Sequence, residues 1–380
     1  MIPLSRPFLP DEAKQSVNEC FKSGWLGYGP ACNSLERRFV TAHGGWALAT
    51  TSCTAALNLA AQLTRASDDD EIIVPALTFI STAMAFYAAG FKVRLVDVDP
   101  KTLLVSRDAI EKALSRKTRA IAVVHLYGQR VPTEEIRELC DSHDMIMIED
   151  CAHRITLLDD FPLLGDFACY SFNAVKEAPC GEGGLLWARS KKLEIRAREM
   201  SNLGLNIDTF QRASNLNHHE VCFGREAGLK TRLNDVLASI VNVSLDSLSM
   251  TRERRAAIFK RYDCMIDLLH PYVTPIRRKG DDSYLMYVVR LDGLNRDVLR
   301  ADMEKMGIAT SVHYNSLSEH PFFNSDNCLV SECNSRQLLT LPSFLGISED
   351  DQKMVTCSLV KAVENQAKAV NSGRFIFASN

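Results

Sequence analysis

From about residue 45 to about residue 190, short apolar runs alternate with amphipathic stretches, and this rhythm constrains the fold more than any other feature. The runs at 46–51, 71–76, 92–98, 119–128, 145–150, 168–172 and 184–189 are short and rich in β-branched or aromatic residues, so they read as strands buried on both faces. Strands separated by helices pair mainly in parallel, because the return path between parallel neighbours needs a crossover. Helical spacing of apolar residues is plainest at 54–63 and 132–142, where Thr133 precedes Glu134 and Glu135 as an N-terminal signal. The expectation is an α/β fold with a mainly parallel sheet of seven strands between helices.

The order changes after residue 235. Residues 236–269 read as one long amphipathic helix carrying Arg252, Arg254 and Arg255, which suits a bridge between domains. A strand at 283–291, a helix at 295–306, a strand at 307–314 and a closing helix at 349–367 then suggest an α+β arrangement. The boundary is placed near residue 245, giving a large domain with its N-terminal segment over 1–245 and a smaller α+β domain over 246–380.

Bulk composition removes several function classes. The chain has 380 residues, with 46% hydrophobic and 24% charged, the mixture of a folded globular protein. Its 44 basic against 47 acidic residues give a formal net charge of -3, without a basic block that could neutralise a nucleic-acid backbone. Neither a leader pattern nor an apolar run of membrane-spanning length is present, so no membrane association and a cytoplasmic location are expected. The 12 cysteines are scattered without a Cys-x-x-Cys pair, so they are expected to be reduced and mostly buried, with no structural metal.

Four segments carry chemistry. The first, residues 171–184, puts Lys176 between a strand end and a glycine-dense return containing Gly181, Gly183 and Gly184. A lysine attacks an aldehyde only as its neutral amine, which desolvation or cationic neighbours make available. The second, residues 148–153, places Asp150 at the end of a buried strand, where open α/β sheets bind ligands. That carboxylate serves either as the partner of a cationic ring nitrogen or as a cap for a following helix. In the third, Ser52, Cys53 and Thr54 open a helix directly after a strand, an arrangement that either cradles a phosphate or merely caps the helix. The fourth sets Phe79 just past another strand end, to stack on a flat ring or to pack in the core.

These four segments, in this order, resemble the sugar aminotransferases of the DegT/DnrJ/EryC1/StrS family. The resemblance extends to SGWLGYGP at 23–30, VPALTFISTA at 74–83, VDVDPKT at 96–102, VVHLYG at 123–128, EDCAH at 149–153, YSFNAVK at 170–176 with GEGG at 181–184, GIATSVHY at 307–314, HPFF at 320–323 and LTLPSF at 339–344. It implies the fold of aspartate aminotransferase and pyridoxal 5'-phosphate as cofactor, with pyridoxamine phosphate as its alternate form. It further implies Lys176 as the Schiff-base lysine and proton shuttle, Asp150 on the pyridine nitrogen, and His153 near the phenolic oxygen. Phe79 would stack on a ring face, and Ser52, Cys53, Thr54 and Ser171 would hold the phosphate. His313 and Tyr314 match the segment that faces the sugar, although a histidine on a strand is more often packed or at the surface.

Two departures stand out. Cys53 replaces a glycine usual in the family, and Lys230 replaces an asparagine in a segment that reaches the phosphate of a neighbouring subunit. Lys230 is therefore expected to contact that phosphate across a homodimer interface. Residues 202–225, including His218, His219 and Cys222, diverge from the pattern. The activity implied is a ping-pong transfer of an amino group from an amino acid, by family habit glutamate, to a keto-sugar or keto-sugar nucleotide. A sugar dehydratase using the same cofactor, a cyclitol-ketone aminotransferase and a non-catalytic scaffold are the rival readings.

Overall fold

A computed structural model describes residues 1–157, 162–214, 224, 226–276, 278–280, 282–323 and 328–371. Its large sheet contains β1 (Trp46–Thr50), β2 (Glu71–Pro75), β3 (Lys92–Val96), β4 (Thr118–Val124), β5 (Ile146–Cys151), β6 (Phe167–Ser171) and β7 (Gly184–Ala188). The strand order is β1-β7-β6-β5-β4-β2-β3, and only β7 runs antiparallel to its neighbours. Each of the seven runs expected between residues 46 and 189 contains a strand of this sheet. β4 nevertheless stops at Val124 rather than continuing to residue 128, because Tyr127 and Gly128 take left-handed φ values of 59° and 90° and turn the chain away.

Around this sheet lie α1 (Glu12–Ser23), α2 (Pro30–His43), α3 (Cys53–Thr64), α4 (Ile80–Ala88), α5 (Arg107–Ala113), α6 (Thr133–Ser142), α7 (Glu194–Met200), α8 (Thr209–Ser214) and α9 (Asp235–Asp246). Alternate residues of each strand feed different layers. Trp46 and Leu48 of β1 pack in the core shared with α3 and α4, whereas Ala47 and Ala49 pack in the core shared with α2 and α9. Burial on both faces is why the other strands read as nearly continuous apolar runs, whereas β3, at the end of the sheet, exposes Lys92 and Arg94 and buries only Leu95 and Val96. Each fully buried large side chain contributes roughly 1.5–3 kcal/mol. Helix α6 begins at Thr133 behind Pro132, and the Thr133 hydroxyl, buried without a partner, does not act as the expected N-terminal signal.

The remaining elements are α10 (Leu248–Ile266), β8 (Val273–Pro275), β9 (Tyr287–Leu291), α11 (Arg296–Lys305), α12 (Leu329–Gln337), β10 (Leu338–Leu341) and α13 (Glu349–Asn371). The strands form an antiparallel sheet in the order β10-β9-β8. The single helix expected over 236–269 is broken at Ser247, whose ψ of 2° ends α9 before α10 starts. Its halves serve different cores: Val241 and Leu245 pack beneath α2, while Ile258, Phe259 and Tyr262 pack against β9 and α13. The strand expected at 307–314 is absent. Only Ile308 is buried there, so there is no apolar face to build a ladder on, and the segment makes isolated bridges from Ile308 to Ile2 and from Ser311 to Thr340. Its place beside β9 is taken by β10, within the LTLPSF motif.

Among the described residues the cysteines are free thiols, and seven of them (Cys32, Cys53, Cys140, Cys151, Cys169, Cys180, Cys328) are buried. No helix among those residues is long and apolar enough to cross a membrane. His218, His219 and Cys222 lie outside the described residues.

Candidate active site

The site gathers on one edge of the large sheet, where β1, β5 and β6 end and β7 begins; Thr50 and Ser171 both pair with Gly184. Lys176 sits in the loop between β6 and β7. Two backbone bonds shape that loop, Lys176 N–H to the Asn173 carbonyl at 2.9 Å and Ala174 N–H to the Gly181 carbonyl at 2.9 Å. Burial pulls the Lys176 ammonium down to about 8, against the opposing pull of Cys53 and Asp150. Near neutral pH a usable fraction of the amine is therefore unprotonated.

Asp150 is buried on β5, and burial raises its pKa while Thr82, the Ala152 N–H, Lys176 and His125 oppose that rise. Thr82 donates its hydroxyl to Oδ2 at 2.7 Å, the Ala152 N–H donates to Oδ1 at 3.0 Å, and the Cys53 thiol lies 3.8 Å from Oδ1. A turn follows β5, so the alternative of a helix cap does not hold for this residue. His153 is buried, and its pKa falls well below the ordinary range through burial, with Lys176 and His313 adding to the effect. The Tyr127 N–H donates to Nδ1 at 3.1 Å, which leaves the proton on Nε2, facing the Tyr314 hydroxyl at 3.1 Å.

Tyr314 also packs on Phe79, their ring centroids 5.5 Å apart, and Phe79 remains 52% exposed at the start of α4. The neighbouring His313 is held by Thr340 through Nδ1 at 2.8 Å, its carbonyl accepts from the Tyr127 hydroxyl, and burial with Lys176 nearby lowers its pKa to about 4. Both residues of this segment thus reach the Lys176 side of the molecule, although no strand carries them there.

Ser52 caps α3, its hydroxyl accepting from the Ala55 N–H at 3.1 Å, so the capping reading is correct for this side chain. The cap leaves the backbone N–H groups of Cys53 and Thr54 unpaired at the helix N-terminus, where the helix dipole favours an anion. Cys53 fits as the first helical residue with its side chain buried. Gly184 is required opposite it, since a Cβ there would lie 2.3 Å from the Ser52 carbonyl carbon and 2.5 Å from the Cys53 nitrogen. Ser171 ends β6 on the same edge. Lys230 is exposed, bridged to Asn202, in a hollow of about 450 Å³ lined by Trp25, Tyr28, Asp208 and Arg232.

Several participants were not singled out from the sequence. Thr82 and Tyr127 lay inside motifs already noted, VPALTFISTA and VVHLYG, but their partners are 68 and 26 residues away. Behind Asp150, the fully buried His125 and Glu149 meet at 3.0 Å; the Val131 N–H donates to the other ring nitrogen and the Gly165 N–H donates to the carboxylate. Together with Cys151 they form the one cluster of metal-capable atoms among the described residues, and these contacts engage both ring nitrogens and both carboxylate oxygens.

A sheet of this order, with a desolvated lysine and a buried carboxylate at its ligand-binding edge, defines an enzyme of the aminotransferase class. A sequence model of the DegT/DnrJ/EryC1/StrS aminotransferase family matches residues 8–360, and the chain belongs to that family. The aminotransferase TlmJ from Streptoalloteichus hindustanus is similar at 28% identity and a TM-score of 0.88, over 97% of this chain and 100% of that one. The sugar aminotransferase CalS13 from Micromonospora echinospora is similar at 25% identity and a TM-score of 0.82, over 95% and 100% of the two chains. NtdA from Bacillus subtilis, solved with its bound cofactor PMP, shares the fold at 22% identity and a TM-score of 0.84, over 94% and 83%.

Proposed function

We propose that this chain is a pyridoxal-phosphate-dependent sugar aminotransferase, passing an amino group from an amino acid, glutamate by preference, to a ketone on a sugar or sugar nucleotide. The observation that carries the reading is the pairing of Lys176, an amine desolvated yet without a hydrogen-bond or ion-pair partner among the described residues, with Asp150, a buried carboxylate on the adjoining strand end. The donor set fits the cofactor: two unpaired N–H groups for a phosphate, an acid for a ring nitrogen and an exposed aromatic for a ring face. When bound, pyridoxal phosphate supplies an aldehyde that captures amines and a ring that accepts electrons as the substrate Cα–H bond breaks.

The chain's own groups do the rest. Lys176, with its pKa near 8, is the candidate to take the proton from Cα and return it elsewhere. Asp150 would hold its charge against the ring nitrogen, steadied by Thr82 and the Ala152 N–H. The backbone N–H groups of Cys53 and Thr54 and the Ser171 hydroxyl would hold the phosphate, with Ser52 supporting that cradle as the cap of α3, while His153 would face the phenolic oxygen and Phe79 would cover the ring. His313 and Tyr314 would border the sugar. Lys230, exposed and without an ion-pair partner among the described residues, would reach the phosphate of a second copy in a homodimer.

The test is reduction with borohydride in the presence of pyridoxal phosphate, followed by peptide mapping. A single labelled peptide containing Lys176, lost when glutamate is added beforehand, is the expected result. Label elsewhere, or label indifferent to glutamate, overturns the assignment.

A further inference from the structure

Lys176 and Glu177 are adjacent in the chain but face opposite ways. The amine points toward Asp150 and Cys53, while the Glu177 carboxylate turns inward and is 2% exposed. There it accepts from Arg252 of α10 twice, Nε to Oε1 at 2.8 Å and Nη2 to Oε2 at 3.2 Å, and from the Ile155 N–H at 2.6 Å. The same guanidinium donates to the Ile155 carbonyl. Ile155 lies two residues beyond His153, on the turn that follows Asp150. One buried carboxylate thus joins three segments: the lysine loop, the turn bearing His153, and the helix that carries the chain into the three-stranded sheet.

We propose that Glu177, clamped by Arg252, is the positioning residue that sets where the Lys176 amine stands, so that helix α10 controls the reactive lysine. This rests on the reading of Lys176 given above. A buried ion pair gains little stability over well-packed apolar residues, because desolvating two charges offsets their attraction. What a bidentate pair adds is fixed geometry, since the planar guanidinium accepts only a narrow range of carboxylate orientations. The lysine loop needs such a constraint: its tip residue Val175 is 39% exposed, and among the described residues its other distant hydrogen bond is one from the Ser244 hydroxyl to the Pro179 carbonyl at 3.2 Å, beside the packing of Ala178 and Cys180.

The surroundings keep the clamp charged. Arg255, one turn along α10 and buried, adds a second positive charge to the same region and is itself anchored on the Leu285 carbonyl at 3.2 Å. Burial alone would raise the Glu177 pKa, but Arg252 and the Ile155 N–H outweigh it and the net shift is downward. The carboxylate therefore stays ionised through the neutral range, and the tether does not loosen with modest acidification.

The experiment reads Lys176 directly rather than turnover. Apo protein is labelled with trinitrobenzenesulfonate across a pH series, and the rate at the Lys176 peptide is followed by mass spectrometry in wild type, E177Q, R252Q, R252K and the E177Q/R252Q pair. Wild type should show a labelling midpoint near 8. The proposal expects E177Q and R252Q to move that midpoint upward together, as the amine shifts into better-solvated positions, with R252K intermediate. With cofactor loaded, both should lower kcat on the order of 100-fold with a much smaller change in KM, the scale of a 1 Å misplacement. The double variant should be no worse than either single, because each single already removes the same bidentate ion pair. An unmoved midpoint in variants that melt as cooperatively as wild type overturns the proposal, as do effects of E177Q and R252Q that add. Absence of borohydride-trapped cofactor on Lys176 in wild type would instead sink the assignment of Lys176 itself, a separate outcome.

Discussion

The turn between β1 and α3 and the loop between β6 and β7 meet at the same sheet edge, yet they are held in contrasting ways. The turn is largely self-supporting: Ser52 caps its own helix and the Thr50 hydroxyl donates to the Ser52 carbonyl at 3.0 Å, while its outside contacts include the Thr51 N–H to the Thr231 carbonyl at 2.7 Å, the Thr50–Arg232 bridge and the Cys53 thiol near Asp150. The loop depends on residues far along the chain, Arg252 at a separation of 75 and Ser244 at 65. The contrast follows from what each must offer. A cradle for an anion needs unpaired N–H groups, which any capped helix start supplies. A reactive amine needs to be desolvated without being neutralised, and its walls must come from elsewhere in the fold.

Removing the amine is the largest expected effect and tests the loop side. Lys176→Ala should lower transamination by about 10⁴-fold or more in a steady-state assay, while the protein still melts cooperatively and at no lower temperature than wild type. Retention of most activity would show that the loop is not where the chemistry resides. Asp150→Asn should follow, at on the order of 10²–10³-fold in kcat, since an amide cannot sustain a cationic ring nitrogen. A change confined to KM would count against that role.

Gly184 is where the two regions touch, so it sharpens the comparison. Gly184→Ala forces a methyl within 2.3 Å of the Ser52 backbone, which cannot yield as a flexible side chain would. A cost of about 1–3 kcal/mol in unfolding free energy is expected, with weaker cofactor binding by equilibrium titration. If turn and loop are held independently, Lys176 labelling in the apo protein should keep its midpoint; a moved midpoint would mean that the turn also positions the lysine.

How much of this was legible in the sequence depends on the range of the interaction. Six strands of the large sheet were readable because they are buried almost throughout, β3 was readable from its β-branched residues although Lys92 and Arg94 are exposed on it, and Ser52 was readable as a cap because its partner Ala55 is three residues away. The break at Ser247 was hidden, because apolar spacing continues through it and only the division of Leu245 and Phe259 between two cores reveals it. Residues 307–314 misled for the opposite reason: β-branched residues suggested a strand, but the partner surface on β9 belongs to β10. Lys176, Asp150, His153 and Phe79 were singled out by motif, and the structure packs His153 and Phe79 against Tyr314. The Glu177–Arg252 clamp carried no local signal, since nothing in either segment announces a partner so distant.

A pH experiment separates the loop from the turn by charge. The Lys176 pKa is about 8 in the folded chain against 10.5 for an ordinary lysine, so between those values the unfolded state binds the extra proton and stability rises with pH. Below about pH 8 both states are protonated and the full cost of the buried charge is present; above about 10.5 it is gone. Lys176→Met should therefore stabilise the apo protein below pH 8, with the gain shrinking toward pH 10.5, as read by chemical denaturation at each pH. A gain independent of pH would mean that apolar packing, rather than the desolvated charge, is responsible.

The smallest effect belongs to the turn. Ser52→Ala deletes the cap and should cost about 1 kcal/mol in unfolding free energy, the usual range for a lost N-terminal cap. It exposes one more N–H, that of Ala55, without removing those of Cys53 and Thr54, so cofactor binding should weaken only through fraying of the first helical turn. Phosphate affinity measured by calorimetry with pyridoxal phosphate is expected to fall no more than about tenfold, which is 1.4 kcal/mol. Ser52→Thr should restore both quantities, because a threonine hydroxyl caps nearly as well. A much larger loss in Ser52→Ala, unrepaired by threonine, would mean that the serine hydroxyl binds the anion itself and that the turn depends on its ligand as heavily as the loop depends on Arg252.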